Sequence, residues 1–214
     1  MKVWTGERKY RVKPQYNICF EIAKQYSGMG EFRMFQLWHM MGQAAKLPEG
    51  EVLEVGCGFG GSGLMISFSA RAHGVKEMIH LCDTFRGLVK ADPAIDKLKD
   101  GEMAGGDPSQ IAEMMARYGI GDVTILGITF PDERQEHWEG RKFRFAHIDV
   151  DLYRSMKDAF EFIWPRMVPG GIVVLDDYGE QDCPGVGQFV DEVCDLPDST
   201  WLMHGGLQAI AVKR

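Results

Sequence analysis

The amino-acid sequence predicts an α/β fold in which helices cover both faces of a mostly parallel, seven-stranded sheet. Short apolar runs of strand length alternate with helical patterns, which is typical of repeated β/α units. A glycine-rich turn, GCGFGGSG, follows the first of these runs. Two further apolar runs near the C-terminus are separated by a glycine pair, which predicts an antiparallel hairpin that closes the sheet.

Composition is that of one ordinary globular domain. The chain has 214 residues, 45% of them hydrophobic, so it can bury a substantial core. We predict a single domain over residues 1–214, with an N-terminal helical region at 1–49 and a core at 50–214. The net charge of −7 argues against a nucleic-acid surface, because phosphate binding needs clustered positive charge.

Cysteine usage and hydropathy predict a cytoplasmic protein with no membrane partner. The five cysteines are an odd number without paired spacing, which favours reduced thiols over disulfides. The first residues lack the apolar pattern of a secretory leader, so we expect none. No apolar run approaches the roughly 20 residues that a membrane span requires.

Residues 14–47 predict two helices separated around Ser27, Gly28 and Gly30. The second helix carries apolar residues at helical spacing, which are Met34, Leu37, Trp38, Met41 and Ala45, with Phe32, Phe35 and Met40 beside them. So wide an apolar surface needs more than one partner. Packing against the sheet is the simplest interpretation, and a homodimer contact or a substrate lid is the alternative.

The first strand and its glycine turn predict a cofactor site. Residues 51–56 read as a strand, and a helical segment follows the turn at 64–73. Gly56 and Gly58 let the backbone turn sharply and approach a ligand, and the helix start offers free N–H groups. The turn also matches the dinucleotide fingerprint GxGxxG, which is a weak signal by itself.

Two acidic residues favour S-adenosylmethionine as the cofactor. Glu54 lies in the first strand, two residues before Gly56. Many methyltransferases carry an acidic residue at this position, where it helps to anchor the methionine end of the cofactor. Asp83 ends the second strand, where its carboxylate can accept hydrogen bonds from both ribose hydroxyls of a bound cofactor. Dehydrogenases share this ribose contact, and Asp83 would also suit a plain strand-end turn. NAD therefore stays open as an alternative.

The middle of the chain continues the β/α pattern after a polar stretch. Residues 88–110 are rich in charge, proline and glycine, which predicts a mobile loop over the site, or alternatively a linker. Strands are predicted at 122–127 and 142–149, and alternation in the latter puts Phe143 on the face of Phe145 and His147. Ser155 and Asp158 have the spacing of a capping box for the next helix.

Aspartates follow the fourth and fifth strands at Asp149, Asp151, Asp176 and Asp177. Because adjacent parallel strands end at one edge of the sheet, we expect Asp149, Asp176 and Asp177 to converge. Clustered carboxylates repel one another unless a cation lies between them, and Mg²⁺ prefers oxygen ligands. The sequence therefore predicts a magnesium site. Each aspartate could instead serve only as a turn or capping residue.

The end of the chain distinguishes between cofactor folds. Residues 199–204 and 207–213 predict a hairpin with a tight turn at Gly205 and Gly206. Five β/α units closed by an antiparallel hairpin form the plan of the Rossmann-like class I methyltransferase sheet. A dinucleotide-binding domain would more typically continue with parallel strands.

With these residues in place, the sequence resembles the macrocin O-methyltransferase family, metal-dependent enzymes of macrolide antibiotic biosynthesis. The most specific motifs are EVGCGFGGS, DTFRGL, HIDVDLYRS and VPGGIVVLDDYG. The resemblance implies that Asp149, Asp176 and Asp177 ligate Mg²⁺. It also implies that Gly56, Gly58, Ser62 and Asp83 line the S-adenosylmethionine site. Catechol-type O-methyltransferases are more distantly similar.

The resulting hypothesis is a Mg²⁺-dependent O-methyltransferase acting on a hydroxyl of a small molecule, such as a natural-product sugar or a phenol. Asp149 is the candidate catalytic residue, and His147, Tyr153 or water are other candidate bases. The lysine that catechol-type enzymes carry is replaced by Leu152. The rival interpretations are an NAD-type oxidoreductase and a non-catalytic cofactor-binding protein.

Overall fold

A computed structural model describes residues 14–204 and 206–214. The seven strands form one sheet in the order β3-β2-β1-β4-β5-β7-β6. They are β1 Glu51–Val55, β2 Ile79–Asp83, β3 Val123–Gly127, β4 Phe143–Ile148, β5 Met167–Asp176, β6 Ser199–His204 and β7 Gln208–Lys213. Strands β1 to β5 pair in parallel, whereas β7 pairs antiparallel with both β5 and β6. The predicted fold class is confirmed.

Helices cover both faces of the sheet. They are α1 Pro14–Ala23, α2 Glu31–Ala44, α3 Gly61–Ala72, α4 Pro108–Arg117, α5 Tyr153–Ile163 and α6 Pro184–Val193, with short 3₁₀ turns at Lys24–Tyr26, Gln135–Trp138 and Trp164–Arg166. Helices α2, α3 and α4 share one apolar core with the sheet, and α5 and α6 share the other. Helix α1 packs outside α2 and α3. No helix in the described ranges is long and apolar enough to cross a membrane.

Local sequence explains where several elements begin. Strand β5 carries the continuous apolar run Ile172–Leu175, which is buried on both faces as a central parallel strand requires. Helix α4 begins at Pro108, inside the stretch 88–110 that the sequence predicted as a loop, because Asp107 caps it and Pro108 occupies its first position. The Asp107 carboxylate accepts hydrogen bonds from the backbone N–H groups of Ser109 and Gln110.

Three local predictions were wrong. The pairing of β4 shifts register between Phe143 and Phe145, so Phe143 packs with Ala146 on the opposite face from Phe145. Ser155 does not cap α5, because that helix starts at Tyr153 and the Ser155 hydroxyl donates to the carbonyl of Val89 instead.

The third wrong prediction concerns the terminal hairpin turn. His204 pairs with Gln208, so three residues connect β6 to β7 rather than two. Leu207, which the sequence placed in the strand, belongs to the turn and has a φ of +64°. The predicted turn residue Gly205 lies outside the described residues.

Candidate active site

A cavity of about 540 Å³ opens where the parallel strands end. Its wall comes from the segments that follow β1, β2, β4 and β5, together with the connection between α1 and α2. The volume is in the usual range of small-molecule sites, which measure roughly 300–1,000 Å³. The predicted convergence of strand ends therefore produces a ligand-sized cavity.

The glycine turn after β1 contacts the residue that follows β4 and also lines the cavity. Gly56 has a φ of +91°, and a Cβ at that position would lie 1.7 Å from the carbonyl oxygen of Asp149. Only glycine fits so close an approach. Gly58 has a φ of +50° with open space around it, and both glycines line the cavity. The turn thus places Asp149 beside the predicted cofactor loop.

Asp83 lies at the end of β2 and holds the glycine turn. Its two carboxylate oxygens accept hydrogen bonds of 2.8 Å from the backbone N–H groups of Gly58 and Phe85. Each oxygen keeps a second lone pair, and the residue lines the cavity. Ser62, in the first turn of α3, is buried and lines the same cavity.

Glu54 lies behind the cavity wall rather than on it. The side chain is fully buried, and its Oε1 atom is 2.9 Å from Nδ1 of His147. Its Oε2 atom has no hydrogen-bond partner among the described residues and faces Gly63, where an added Cβ would lie only 2.6 Å away. The first turn of α3 favours a carboxylate at this place because helix N-termini carry partial positive charge.

The three predicted metal ligands all line the cavity, but their oxygens fall into two groups. Ligand atoms of Asp149, Asp176 and His147 lie within 4.8 Å of one another. Asp177 groups in the same way with Asp151 and Cys183. Asp151 and Asp177 have φ values of +59° and +63°, a strained conformation that clusters at functional sites.

The pKa values of the clustered aspartates are shifted in opposite directions, because burial and like charges act on Asp149 and Asp151 whereas positive groups act on Asp176. Loss of solvent, reinforced by the charges of Asp176 and Asp177, holds the pKa of Asp149 well above its usual range. Burial and the nearby Asp177 raise the pKa of Asp151 to about 7. Burial would also raise the pKa of Asp176, but His147 and Arg33 outweigh it and lower that pKa.

Arg33 is the site residue that sequence reasoning missed. Its Nη1 atom donates to Asp176 Oδ2 at 2.5 Å and to Asp177 Oδ1 at 2.8 Å. The arginine belongs to α2, 143 residues before Asp176, and no motif surrounds it. The loop from Tyr26 to Met29, which precedes α2, also lines the cavity without any signal in the sequence beyond its glycine.

The donor set fits a hard divalent cation. The carboxylates of Asp149, Asp176 and Asp177 offer only oxygen ligands, as Mg²⁺ prefers. The pKa of Asp149 is raised first by burial and then by the neighbouring negative charges, and a cation at this place would balance those charges. Cys57, in contrast, is a buried thiol whose pKa burial holds well above its usual range, which disfavours the nucleophilic thiolate.

Fold and cavity together define a class I methyltransferase fold, with a glycine turn and Asp83 on one wall and clustered carboxylates on another. The sequence profile of the macrocin O-methyltransferase family (TylF) matches residues 21–194. The chain belongs to this family, as its motifs predict.

Two curated relatives are similar over part of their length. An 8-demethyl-8-(2,3-dimethoxy-alpha-L-rhamnosyl)-tetracenomycin-C 4'-O-methyltransferase from Streptomyces olivaceus is 34% identical over 144 residues, which are 63% of this chain and 55% of the relative. Mycinamicin III 3''-O-methyltransferase from Micromonospora griseorubida is 28% identical over 165 residues, 70% of this chain and 64% of the relative. The chain thus spans between about half and two thirds of these relatives.

Solved structures agree on the fold. The O-methyltransferase NovP superimposes with a TM-score of 0.73 at 19% identity, covering 88% of this chain and 82% of NovP. An O-methyltransferase from Bacillus cereus in complex with SAH gives a TM-score of 0.63 at 13% identity, covering 97% of this chain and 94% of that protein.

Proposed function

We propose that this chain is an S-adenosylmethionine-dependent O-methyltransferase that requires Mg²⁺ and methylates a hydroxyl of a natural-product sugar. The observation that carries the proposal is a single cavity with Asp83 and the glycine turn on one wall and Asp149, Asp176 and Asp177 on another. Family membership supports the reaction. The relative that is named for a rhamnosyl-bearing substrate supports the sugar.

The cofactor would bind along the glycine turn. Gly56 and Gly58 allow its close approach, and the carboxylate of Asp83 has free lone pairs for the ribose hydroxyls. Ser62 lies where the start of α3 offers backbone N–H groups. Glu54 would act indirectly, by supporting the strand end and the helix start from behind the wall.

Asp149, Asp176 and Asp177 would hold Mg²⁺, which when bound supplies Lewis-acid activation of the acceptor hydroxyl. Asp149 lines the cavity and is our candidate to receive the hydroxyl proton, directly or through water. The other two candidates are placed less well. His147 is fully buried against Glu54, and the Tyr153 hydroxyl is 2.7 Å from Glu192 on the protein surface.

Calorimetric titration with S-adenosylmethionine and with NAD tests the cofactor. We expect micromolar binding of the former, about −8 kcal/mol, and none of the latter. Asp83→Ala should weaken binding by roughly 1.5–3 kcal/mol, because charge-assisted hydrogen bonds to the ribose are lost. NAD binding in place of S-adenosylmethionine would favour the oxidoreductase interpretation.

Methyl transfer to a simple rhamnoside and to a catechol, followed as release of S-adenosylhomocysteine, tests the reaction. We expect transfer to the rhamnoside that stops in EDTA and in Asp149→Asn, Asp176→Asn and Asp177→Asn. Asp195→Asn, an exposed carboxylate away from the cavity, should keep full activity. Full transfer in EDTA would exclude the metal requirement, and transfer to catechol alone would exclude the sugar acceptor. Cofactor binding without transfer to either acceptor would favour a non-catalytic protein.

A further inference from the structure

Arg33 occupies the place between two of the proposed metal ligands. Its single Nη1 atom bridges Asp176 Oδ2 and Asp177 Oδ1, at 2.5 and 2.8 Å. We infer that Arg33 is a built-in competitor of the divalent cation, which binds to both aspartates only when the guanidinium leaves. This inference rests on the proposed function, because it concerns the same metal site.

Both carboxylate oxygens of Asp176 accept a hydrogen bond from a side chain. Its Oδ1 atom accepts from the side-chain amide of Gln208 at 2.6 Å, and its Oδ2 atom accepts from Arg33. Asp176 is buried and lines the cavity, so a cation would approach it from the cavity, which Arg33 also lines. A cation held by Asp176 Oδ2 and Asp177 Oδ1 would need the position that the Arg33 Nη1 atom now occupies.

Charge balance gives Arg33 its role in the metal-free protein. Five carboxylates line the cavity, at Asp83, Asp149, Asp151, Asp176 and Asp177, and Arg33 is the one lysine or arginine among the described residues of its wall. Without a cation these carboxylates would repel one another. The Arg33 side chain is 22% exposed at the cavity, so the guanidinium can leave by rotation of its own side chain.

Manganese binding measures the competition without any need for turnover. Mn²⁺ affinity would be determined by electron paramagnetic resonance for the parent, Arg33→Gln, Arg33→Lys and the control Arg154→Gln, which removes a different arginine–aspartate pair. We expect Arg33→Gln to bind Mn²⁺ about tenfold more tightly, because no charge-assisted hydrogen bond has to be broken. Arg33→Lys should lie between it and the parent, and Arg154→Gln should equal the parent.

Chemical modification of the parent protein tests the displacement directly. Phenylglyoxal should modify Arg33 slowly in EDTA and several-fold faster with saturating Mg²⁺, with Arg154 as the internal reference, as read by peptide mass spectrometry. This measurement does not depend on the folding of any variant. An unchanged rate at Arg33 with Mg²⁺ bound would overturn the inference.

The outcomes separate this inference from the proposed function. If the parent binds Mn²⁺ but Arg33→Gln or Arg33→Lys binds it equally or less well, Arg33 does not compete and the metal requirement stands. If the parent and all variants fail to bind Mn²⁺, both the competition and the metal-dependent mechanism are wrong.

Discussion

At the residue scale, Gly56 connects the cofactor turn to the proposed metal site. Gly56→Ala forces a Cβ against the carbonyl of Asp149, at 1.7 Å, and imposes a φ of +91° on alanine. We expect a loss of roughly 3–5 kcal/mol in the free energy of unfolding, measured in urea. Gly74→Ala is the matched control, since Gly74 has a φ of +84° but open space, and should lose only about 1 kcal/mol. Equal losses would show that backbone strain alone matters.

His147 should make the stability of the metal-free protein depend on pH. Burial alone would lower its pKa, but Asp176 and Glu54 outweigh burial and raise the pKa to about 9. Because the folded pKa exceeds the unfolded value of about 6.5, this stabilisation is complete below pH 6.5 and is lost as pH rises through 9.

The corresponding measurement is urea unfolding in EDTA between pH 6 and 9.5. We expect the parent to lose on the order of 2 kcal/mol more than His147→Gln over this interval. Glutamine keeps a donor for Glu54 but cannot titrate. Parallel pH profiles for the two proteins would show that His147 is neutral in the folded state.

Residue-level prediction from sequence worked where strand geometry dictates position. Asp149 and Asp176 end adjacent parallel strands, so their proximity follows from topology alone. Arg33 could not be predicted, because its contact depends on how α2 rotates against the sheet edge. Glu54 lies behind the cavity wall because of the strand pleat and the packing of α3 against β1. The glycine-rich motif after β1 does not specify either feature.

At the scale of elements, the segment from Thr84 to Asp107 is attached to its surroundings despite its polar composition. Lys90 forms ion pairs of 2.8 Å with Asp132 and 2.7 Å with Asp158, and Asp96 accepts from the backbone N–H of Tyr153. Burial alone would lower the pKa of Lys90, but the two aspartates outweigh burial, so the pKa is raised. The attachments lie on α5 and on the loop after β3, beside the cavity.

Lys90→Met should therefore loosen this segment. We expect proteolysis between residues 84 and 107 to be several-fold faster than in the parent, because both ion pairs are lost together. Lys99→Met, at an exposed position in the same segment, should leave the cleavage rate unchanged. Equal acceleration in both variants would mean that the ion pairs contribute nothing to the order of the segment.

The element boundaries that failed depend on contacts distant in sequence. The register shift in β4 coincides with Arg144, whose guanidinium donates to the carbonyls of Gly50 and Leu47 across the end of the sheet. The capping-box motif failed because Ser155 finds its partner in the segment after β2. Strand periodicity and local motifs contain no information about either contact.

At the scale of the whole molecule, the order of β/α units predicted the topology because each parallel connection has few alternatives. The terminal hairpin was equally predictable as a pair of strands. The layer formed by α1 and α2 was harder to place. Its wide apolar surface packs against both α3 and the sheet, so the simplest of the three interpretations, packing within the chain, accounts for most of it.

The same layer predicts that residues 50–214 cannot fold alone. Five large side chains of α1 and α2 are almost completely buried, which are Tyr16, Met34, Leu37, Trp38 and Met41. Burial of a large apolar side chain contributes about 1.5–3 kcal/mol, so the five together match a typical net stability of about 5–15 kcal/mol. A chain that begins at Gly50 should show no cooperative thermal transition by calorimetry.

The intact chain should unfold in one transition, with equal calorimetric and van't Hoff enthalpies, as expected for one domain.

Two point variants measure how strongly the N-terminal helices stabilise the rest of the chain, without a deletion. Trp38→Ala should cost about 3–5 kcal/mol in the free energy of unfolding, since the indole lies between α1 and α3. Ile18→Ala, whose side chain in α1 is 64% exposed, should cost less than about 0.5 kcal/mol. A cooperative transition in the chain beginning at Gly50 would instead make the N-terminal helices a separate, dispensable layer.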